Sequence, residues 1–170
     1  RTEFEHLKCF ERLVLPLSEL TLLTGFNAGG KSTVIQSLLL LTQSVRGGPV
    51  ACHVGLNGPL TRLGTVREIV NGEHRDLTLG VWSPGAGMSW LLSAEDRRGT
   101  ILDVSAITVR NESGEQCLPP GPGWRAGLPQ ATVELLEMIR DIVFISAIRS
   151  DFGPTFPSPE GTQPVYADVG

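Results

Sequence analysis

Apolar and polar positions follow three different rhythms along this chain. At the start, Phe4, His6, Lys8 and Phe10 alternate with Glu3, Glu5, Leu7 and Cys9, and Leu13-Val14-Leu15 follows closely. This period of two predicts a pair of short β-strands with a turn near Glu11-Arg12. Pro16-Leu17-Ser18-Glu19 then turns the chain into Leu20-Thr21-Leu22-Leu23-Thr24, which reads as a further strand. After Lys31 the rhythm changes to that of a helix. Val34, Leu38, Leu41 and Val45 share one face, Ile35 and Leu39 widen it, and Gly47-Gly48-Pro49 ends it. A helix this apolar is expected to lie buried inside an α/β layer.

Residues 47 to about 130 change character again. Asn57-Gly58-Pro59 is a turn, and Leu63 to Val70 suits a short helix. Leu77–Trp82 and Met88–Leu92 predict a hairpin across residues 83–87, and Ile101–Val109 predicts another strand with its turn at Asn111–Gly114. Pro119-Pro120-Gly121-Pro122-Gly123 is a loop. From Gln130 a helical pattern returns, with Val133, Leu136, Ile139 and Ile142 in step. Ile142-Val143-Phe144-Ile145-Ser146 is continuous and β-branched, as in a parallel strand buried on both faces. Ser150 to Pro164 holds four prolines and is a long loop, a place where function often resides.

With 170 residues, 41% hydrophobic and 19% charged, the chain suits one globular domain with a real core. A net charge of −4 argues against a dedicated nucleic-acid surface and leaves only a local arginine patch for DNA. Cys9, Cys52 and Cys117 form no C-x-x-C pair, and His6, His53 and His74 have no metal-like spacing. Reduced thiols and a cytoplasmic setting fit this composition. The N-terminal residues lack the apolar region of a secretory signal, and the run Leu38–Leu41 is far too short to span a membrane. Because the chain starts at Arg1 without methionine and stops in loop-like sequence, it is expected to be a segment of something longer.

Gly25-Phe26-Asn27-Ala28-Gly29-Gly30-Lys31-Ser32 fits G-x-x-x-x-G-K-[ST], the phosphate-binding P-loop, between an apolar β run and a helix. Its chemistry rests on backbone. Glycines let successive N–H groups turn inward as an anion nest, and the helix start adds partial positive charge. Lys31 is expected to reach the β- and γ-phosphates of ATP, and Ser32 to place its hydroxyl on Mg²⁺. Gly25, Asn27, Ala28, Gly29, Gly30, Lys31, Ser32 and Thr33 are the expected nucleotide-binding residues. Lys31 is the expected catalytic group. An accidental turn of this form arises about once in a hundred sequences of this length. Lys31 is also one of only two lysines in the chain, with Lys8.

An N-terminal β pair, a strand, a G-x-N-x-x-G-K-S loop and a leucine-rich helix resemble the ABC-type ATPase heads of the RecF/SMC/OLD group. Leu56-Asn57-Gly58-Pro59-Leu60 with Leu63-Gly64 resembles a block in the AAA/ABC-like ATPases of bacterial defence operons. So does Ile145-Ser146-Ala147-Ile148-Arg149, followed by Gly153-Pro154 and Phe156-Pro157, and Asp168-Val169-Gly170 is similar to the family's next short motif. The resemblance implies an α/β P-loop NTPase core with an antiparallel β-rich insertion, incomplete at its C-terminus. It divides residues 1–170 into strands, P-loop and helix (1–46), the insertion (47–129), and helix, core strand and loop (130–170). It further implies ATP binding and hydrolysis, pairing with a second copy, and work with a nuclease or other effector in phage defence or DNA repair. Thr33 commonly meets the α-phosphate in such relatives, and Ala28 stands where many carry glycine. No apolar run ends in Asp-Glu, and no LSGGQ-like signature or suitable switch histidine is present. The segment is therefore expected to bind nucleotide without hydrolysing it efficiently alone.

Two other classes share the front end: a P-loop kinase acting on a small acceptor, and a nucleotide-dependent scaffold without turnover. No N-K-x-D segment supports a GTPase. Asp151-Phe152-Gly153 reads as a turn in the absence of other kinase motifs, and Gly121, Gly123 and Gly127 are out of step for a dinucleotide fingerprint. Arg149 follows an expected core strand, where a phosphate, a partner or a structural carboxylate are alternative contacts. Gln36 reads as a packing or surface residue and Arg97-Arg98 as a solvated turn, while Trp82, Trp90 and Trp124 are candidate stacking platforms, of which the first two fit packing within the insertion better.

Overall fold

Three two-residue reversals decide the architecture. Lys8-Cys9 separates the paired residues Leu7 and Phe10, Pro84-Gly85 separates Ser83 and Ala86, and Glu112-Ser113 separates Asn111 and Gly114. Connections this short can only join antiparallel strands, because a parallel pair needs a crossover of a dozen or more residues. Each turn has its own chemistry. Lys8 takes φ 51°, Gly85 takes φ 81° after a proline, and the Ser113 N–H donates to Asn111 Oδ1 at 2.8 Å.

The computed structural model describes residues 1–47 and 52–145, with the backbone of 155–156 and 165–166. Strands β1 (Thr2–Leu7), β2 (Phe10–Leu15), β3 (His53–Gly55), β4 (Asp76–Ser83), β5 (Ala86–Ser93), β6 (Ile101–Asn111) and β7 (Gly114–Leu118) form one sheet. The order is β2-β1-β4-β5-β6-β3, with β7 also beside β6. Three helices accompany it: α1 (Lys31–Arg46), α2 (Val66–Ile69) and α3 (Gln130–Arg140). A separate pair joins β8 (Thr155–Phe156) to β9 (Val165–Tyr166).

One face of the sheet carries the core. Phe4, Leu77, Leu79, Met88, Trp90 and Leu92 are fully buried there, beneath Leu40, Leu41 and Val45 of α1 and Leu135, Leu136 and Ile139 of α3. On β6 the buried positions change phase, from Leu102 and Val104 to Ile107 and Val109. The cause is a bulge. Leu91 pairs with Ala106 while Leu92 pairs with Val104, so Ser105 is an extra residue that reverses the inward parity. On the opposite face Trp82 lies over Gly87, where an added Cβ would come within 1.8 Å of the indole. Guanidinium groups of Arg1 and Arg110 sit 5.5 and 5.4 Å from the centre of the same ring.

The expectation of an α/β P-loop NTPase core is overturned. Every strand pair among the described residues is antiparallel, and the hairpins expected as an insertion are the body of the sheet. Leu20–Thr24 forms no strand, and neither does Ile142–Ile145. Their apolar runs carry the composition of buried strands, yet Leu20, Leu22, Val143 and Ile145 are 79–87% exposed. A run of this kind specifies what a strand would bury without supplying the neighbour it would pair with. The turn of the first hairpin also lies at Lys8-Cys9 rather than Glu11-Arg12, because the positive φ of Lys8 ends β1 early. Ser146, Ala147, Ile148, Arg149, Asp151-Phe152-Gly153 and Asp168-Val169-Gly170 lie outside the described residues.

Two polar devices tie α1 to its surroundings. Gln43 reaches from its buried side to the 55–61 segment, donating to the Gly55 carbonyl at 3.1 Å and accepting from the Thr61 N–H at 3.1 Å. Gly58 is needed for this approach, since a Cβ there would lie 2.7 Å from Gln43 Oε1. Arg46 donates to the carbonyls of Arg140 and Ile142, both at 2.7 Å, and so fastens the end of α1 to the end of α3. The expected apolar face of α1 is rotated slightly. Val34, Leu39, Leu41 and Val45 are buried, Leu38 is half-buried and Ile35 is exposed, with Ser37 and Leu40 taking its place.

Candidate phosphate-binding site

The loop before α1 is shaped by three residues with positive φ. Gly25 is at 141°, Ala28 at 65° and Gly30 at 84°. Between them a tight turn closes when the Gly29 N–H donates to the Phe26 carbonyl at 3.1 Å. Gly30 is the N-cap of α1, and its carbonyl accepts the Val34 N–H at 3.1 Å. Here glycine is dictated twice over. Besides its φ, a Cβ on Gly30 would meet the Phe10 ring at 2.4 Å and Cys9 Sγ at 3.0 Å. The β1–β2 hairpin therefore packs directly against the helix start.

The helix start carries neither a capping side chain nor an acidic residue in its first turn. Its first N–H groups have no intrahelical acceptors, and their partial positive charge is uncompensated. A pocket of about 330 Å³ opens at this point, lined by Lys8, Cys9 and the continuous run Asn27–Thr33. Both lysines of the chain therefore reach it. Lys31 Nζ donates to the carbonyls of Gly25, at 2.8 Å, and Phe26, so its ammonium currently braces the loop. Lys8 Nζ donates to Gln36 Oε1 at 2.8 Å. Gln36, expected to be a packing or surface residue, positions the second lysine.

The structure brings Asn27, Ala28, Gly29, Gly30, Lys31, Ser32 and Thr33 to one pocket, with Gly25 one turn earlier in the same loop. Ser32 is exposed, while Thr33 is buried. An apolar arm flanks the site. Phe26 is 92% exposed and Leu20 and Leu22 are nearly as open, with no strand beside them among the described residues.

Larger hollows occur on the outer sheet face, about 560 and 410 Å³ around Trp82. Several of their charged groups already have charged partners among the described residues. Arg12 pairs with Glu3 at 2.7 Å and Glu5 at 3.3 Å, and these carboxylates raise its pKa above the ordinary guanidinium value. Arg110 approaches Glu115 at 3.7 Å. The described residues lining the loop pocket instead offer amides and ammonium groups and no carboxylate, although Lys8 also helps to hold the Glu68 pKa down. Arg97, expected in a solvated turn, is a brace: it donates to the carbonyls of His74 and Gly72 at 2.8 and 2.7 Å. Trp90 and Trp124 are buried, so neither is an exposed stacking platform.

Sequence spacing missed one constellation. His6 and His74 are 68 positions apart, yet their rings stack with centroids 3.7 Å apart, and Glu11 lies against both. No local pattern signals this, because pairing of β1 with β2 and an isolated bridge from Leu7 to Val70 create it. Among the described residues, no helix is long and apolar enough to cross a membrane. No protein-family model matches the chain, and neither a curated protein nor a solved structure matches it.

Proposed function

We propose that the loop from Gly25 to Thr33 binds the phosphates of ATP with Mg²⁺. One observation carries this reading: the P-loop octet ends in an uncapped, acid-free helix start that opens into a pocket reached by both lysines. Backbone N–H groups at residues 30–33 supply the anion-binding dipoles, and Lys31 supplies the mobile charge. Lys31 needs only to leave two exposed loop carbonyls to reach a bound anion. Ser32 is the residue for the magnesium ion, and Lys8 adds a second positive charge at the rim. Bound ATP supplies a phosphoanhydride whose charge this donor set matches.

The wider reading is a cytoplasmic ATPase whose nucleotide state governs pairing with a second copy and work with a nuclease or other effector. The exposed Leu20, Leu22 and Phe26 beside the loop favour a second body covering this side. The described residues place no carboxylate at the pocket to hold the metal or activate water, so hydrolysis draws on groups beyond the lining residues.

Calorimetry with Mg²⁺ and ATP, and with inorganic tripolyphosphate as a competitor, tests the reading. Lys31→Ala is expected to weaken binding tenfold to a hundredfold, about the loss of one or two charge-assisted hydrogen bonds. Tripolyphosphate should compete and adenosine should not. Equal affinity in wild type and Lys31→Ala, or no heat with either, refutes it. Phosphate release by the intact protein, with product analysis on candidate acceptors, separates the ATPase from a scaffold and from a kinase.

A further inference from the structure

We propose that His6, Glu11 and His74 form a binding site for a zinc-class divalent metal ion, separate from the nucleotide pocket. Three segments converge on it. His6 lies near the end of β1, Glu11 near the start of β2, and His74 in the loop between α2 and β4. One ligand atom from each residue lies within 4.8 Å of the other two. Glu11 Oε1 is 3.6 Å from His6 Nε2 and 3.2 Å from His74 Nε2. Donors bound tetrahedrally at about 2.0–2.1 Å from zinc stand about 3.3–3.4 Å apart. Two of the three separations are therefore close to the coordinated value.

What surrounds these donors resembles the support that metal ligands need. His6 Nδ1 lies 3.0 Å from Asp76 Oδ1, a carboxylate partner of the kind that lets a histidine ligate through Nε2. Asn71 Nδ2 donates to Glu11 Oε2 at 3.3 Å, and the Asn71 N–H donates to the His6 carbonyl at 2.8 Å. Arg97 fixes the loop carrying His74 through the carbonyls of Gly72 and His74. His6 itself is held at φ 56°, a left-handed conformation unusual for histidine within a strand. The rings now lie stacked, their planes 6° from parallel, so coordination requires them to tilt toward a shared point. His74, on a loop, is the ring free to do so.

Donor chemistry selects the ion. Two imidazoles and one carboxylate suit zinc and its neighbours, whereas magnesium and calcium prefer oxygen alone. Glu11 is exposed and both histidines are partly so. A fourth position is thus open to water. The ion would clamp the β1–β2 hairpin to the 71–74 loop, and the same hairpin presents Lys8 and Cys9 to the phosphate pocket.

The test uses the full chain, stripped with chelator, nucleotide-free, and titrated with Zn²⁺ against a chromophoric competitor. One equivalent should bind, and the melting temperature should rise with zinc. His74→Asn and Glu11→Gln, both outside the core, should each weaken affinity about a hundredfold while leaving the metal-free circular dichroism unchanged. Asp76→Asn, a positioning change, should cost about tenfold. His53→Ala and Cys117→Ser should bind as wild type, and so should Lys31→Ala, which separates this result from the nucleotide one. Wild-type affinity in both His74→Asn and Glu11→Gln, no binding by wild type, or loss of binding only in Cys9→Ser overturns the site.

Discussion

At the start of α2 the Glu68 carboxylate turns back onto its own helix and accepts the Thr65 N–H at 2.6 Å and the Thr65 hydroxyl at 3.0 Å. At the start of α1 there is no such group: Gly30 caps the helix without a side chain, and no acid lies in the first turn. Both termini have the same sign of dipole, but their N–H groups differ: in α2 the Val66 and Arg67 N–H donate to the Gly99 and Arg97 carbonyls at 2.9 and 3.0 Å. In α2 backbone carbonyls and one internal carboxylate, which takes the Thr65 N–H, close the terminus, and in α1 the lining residues leave the position open beneath two lysines. The chain thus sets a closed helix start beside an open one. Variants that alter either terminus sharpen the contrast or remove it.

Gly30→Ala should have the largest effect. The new methyl would overlap the Phe10 ring, and the backbone at φ 84° disfavours any Cβ. Strain and overpacking together should cost about 2–4 kcal/mol in denaturant unfolding. Binding of ATP should be lost as well, because the turn that aims the amides cannot be kept. A variant as stable as wild type would show that the hairpin and the helix start are not in contact, and that the α1 terminus is not preset.

The contrast between these termini was half visible in the sequence. Thr65-x-x-Glu68 is a capping signature, and the glycine-rich octet before Ser32 is a phosphate signature, since both depend on residues within one turn. The hairpins around Pro84-Gly85 and Glu112-Ser113 were legible for the same reason: turn chemistry is local. What failed was the inference from apolar composition to sheet membership. Leu20–Thr24 and Ile142–Ile145 have the side chains of core strands, and each large apolar residue left in water forgoes about 1.5–3 kcal/mol of burial. Burial needs a neighbouring strand, and no property of the run itself names one. His6 and His74 show the converse, a juxtaposition made wholly by tertiary pairing and therefore invisible to spacing.

Ala28→Gly acts on the open terminus more gently. Ala28 is held at φ 65°, which costs an L-residue about 1–2 kcal/mol. Glycine removes that strain and gives back part of the gain through its freer unfolded chain. A net stabilisation of about 0.5–1 kcal/mol is expected, with affinity for ATP little changed. Loss of stability would mean that the alanine methyl contributes packing that its exposed position does not suggest.

The smallest effect belongs to the closed terminus and is read by pH. Hydrogen bonds from the Thr65 backbone N–H, secondarily from its hydroxyl, and to a smaller extent the charge of Lys8 hold the Glu68 pKa below the ordinary carboxylate value. A carboxylate lowered in the folded state adds stability above its unfolded pKa, and that contribution fades as pH falls through the lowered folded value. Wild type should therefore lose a small increment of stability on acidification that Glu68→Gln does not lose, while above that range the variant should be the less stable of the two. Because Glu68 is exposed, salt should reduce the difference. Parallel acid titrations of the two proteins, followed by thermal melting, measure it. Superimposable curves would mean that the carboxylate charge adds nothing at α2, and would remove the internal precedent for an anion at α1.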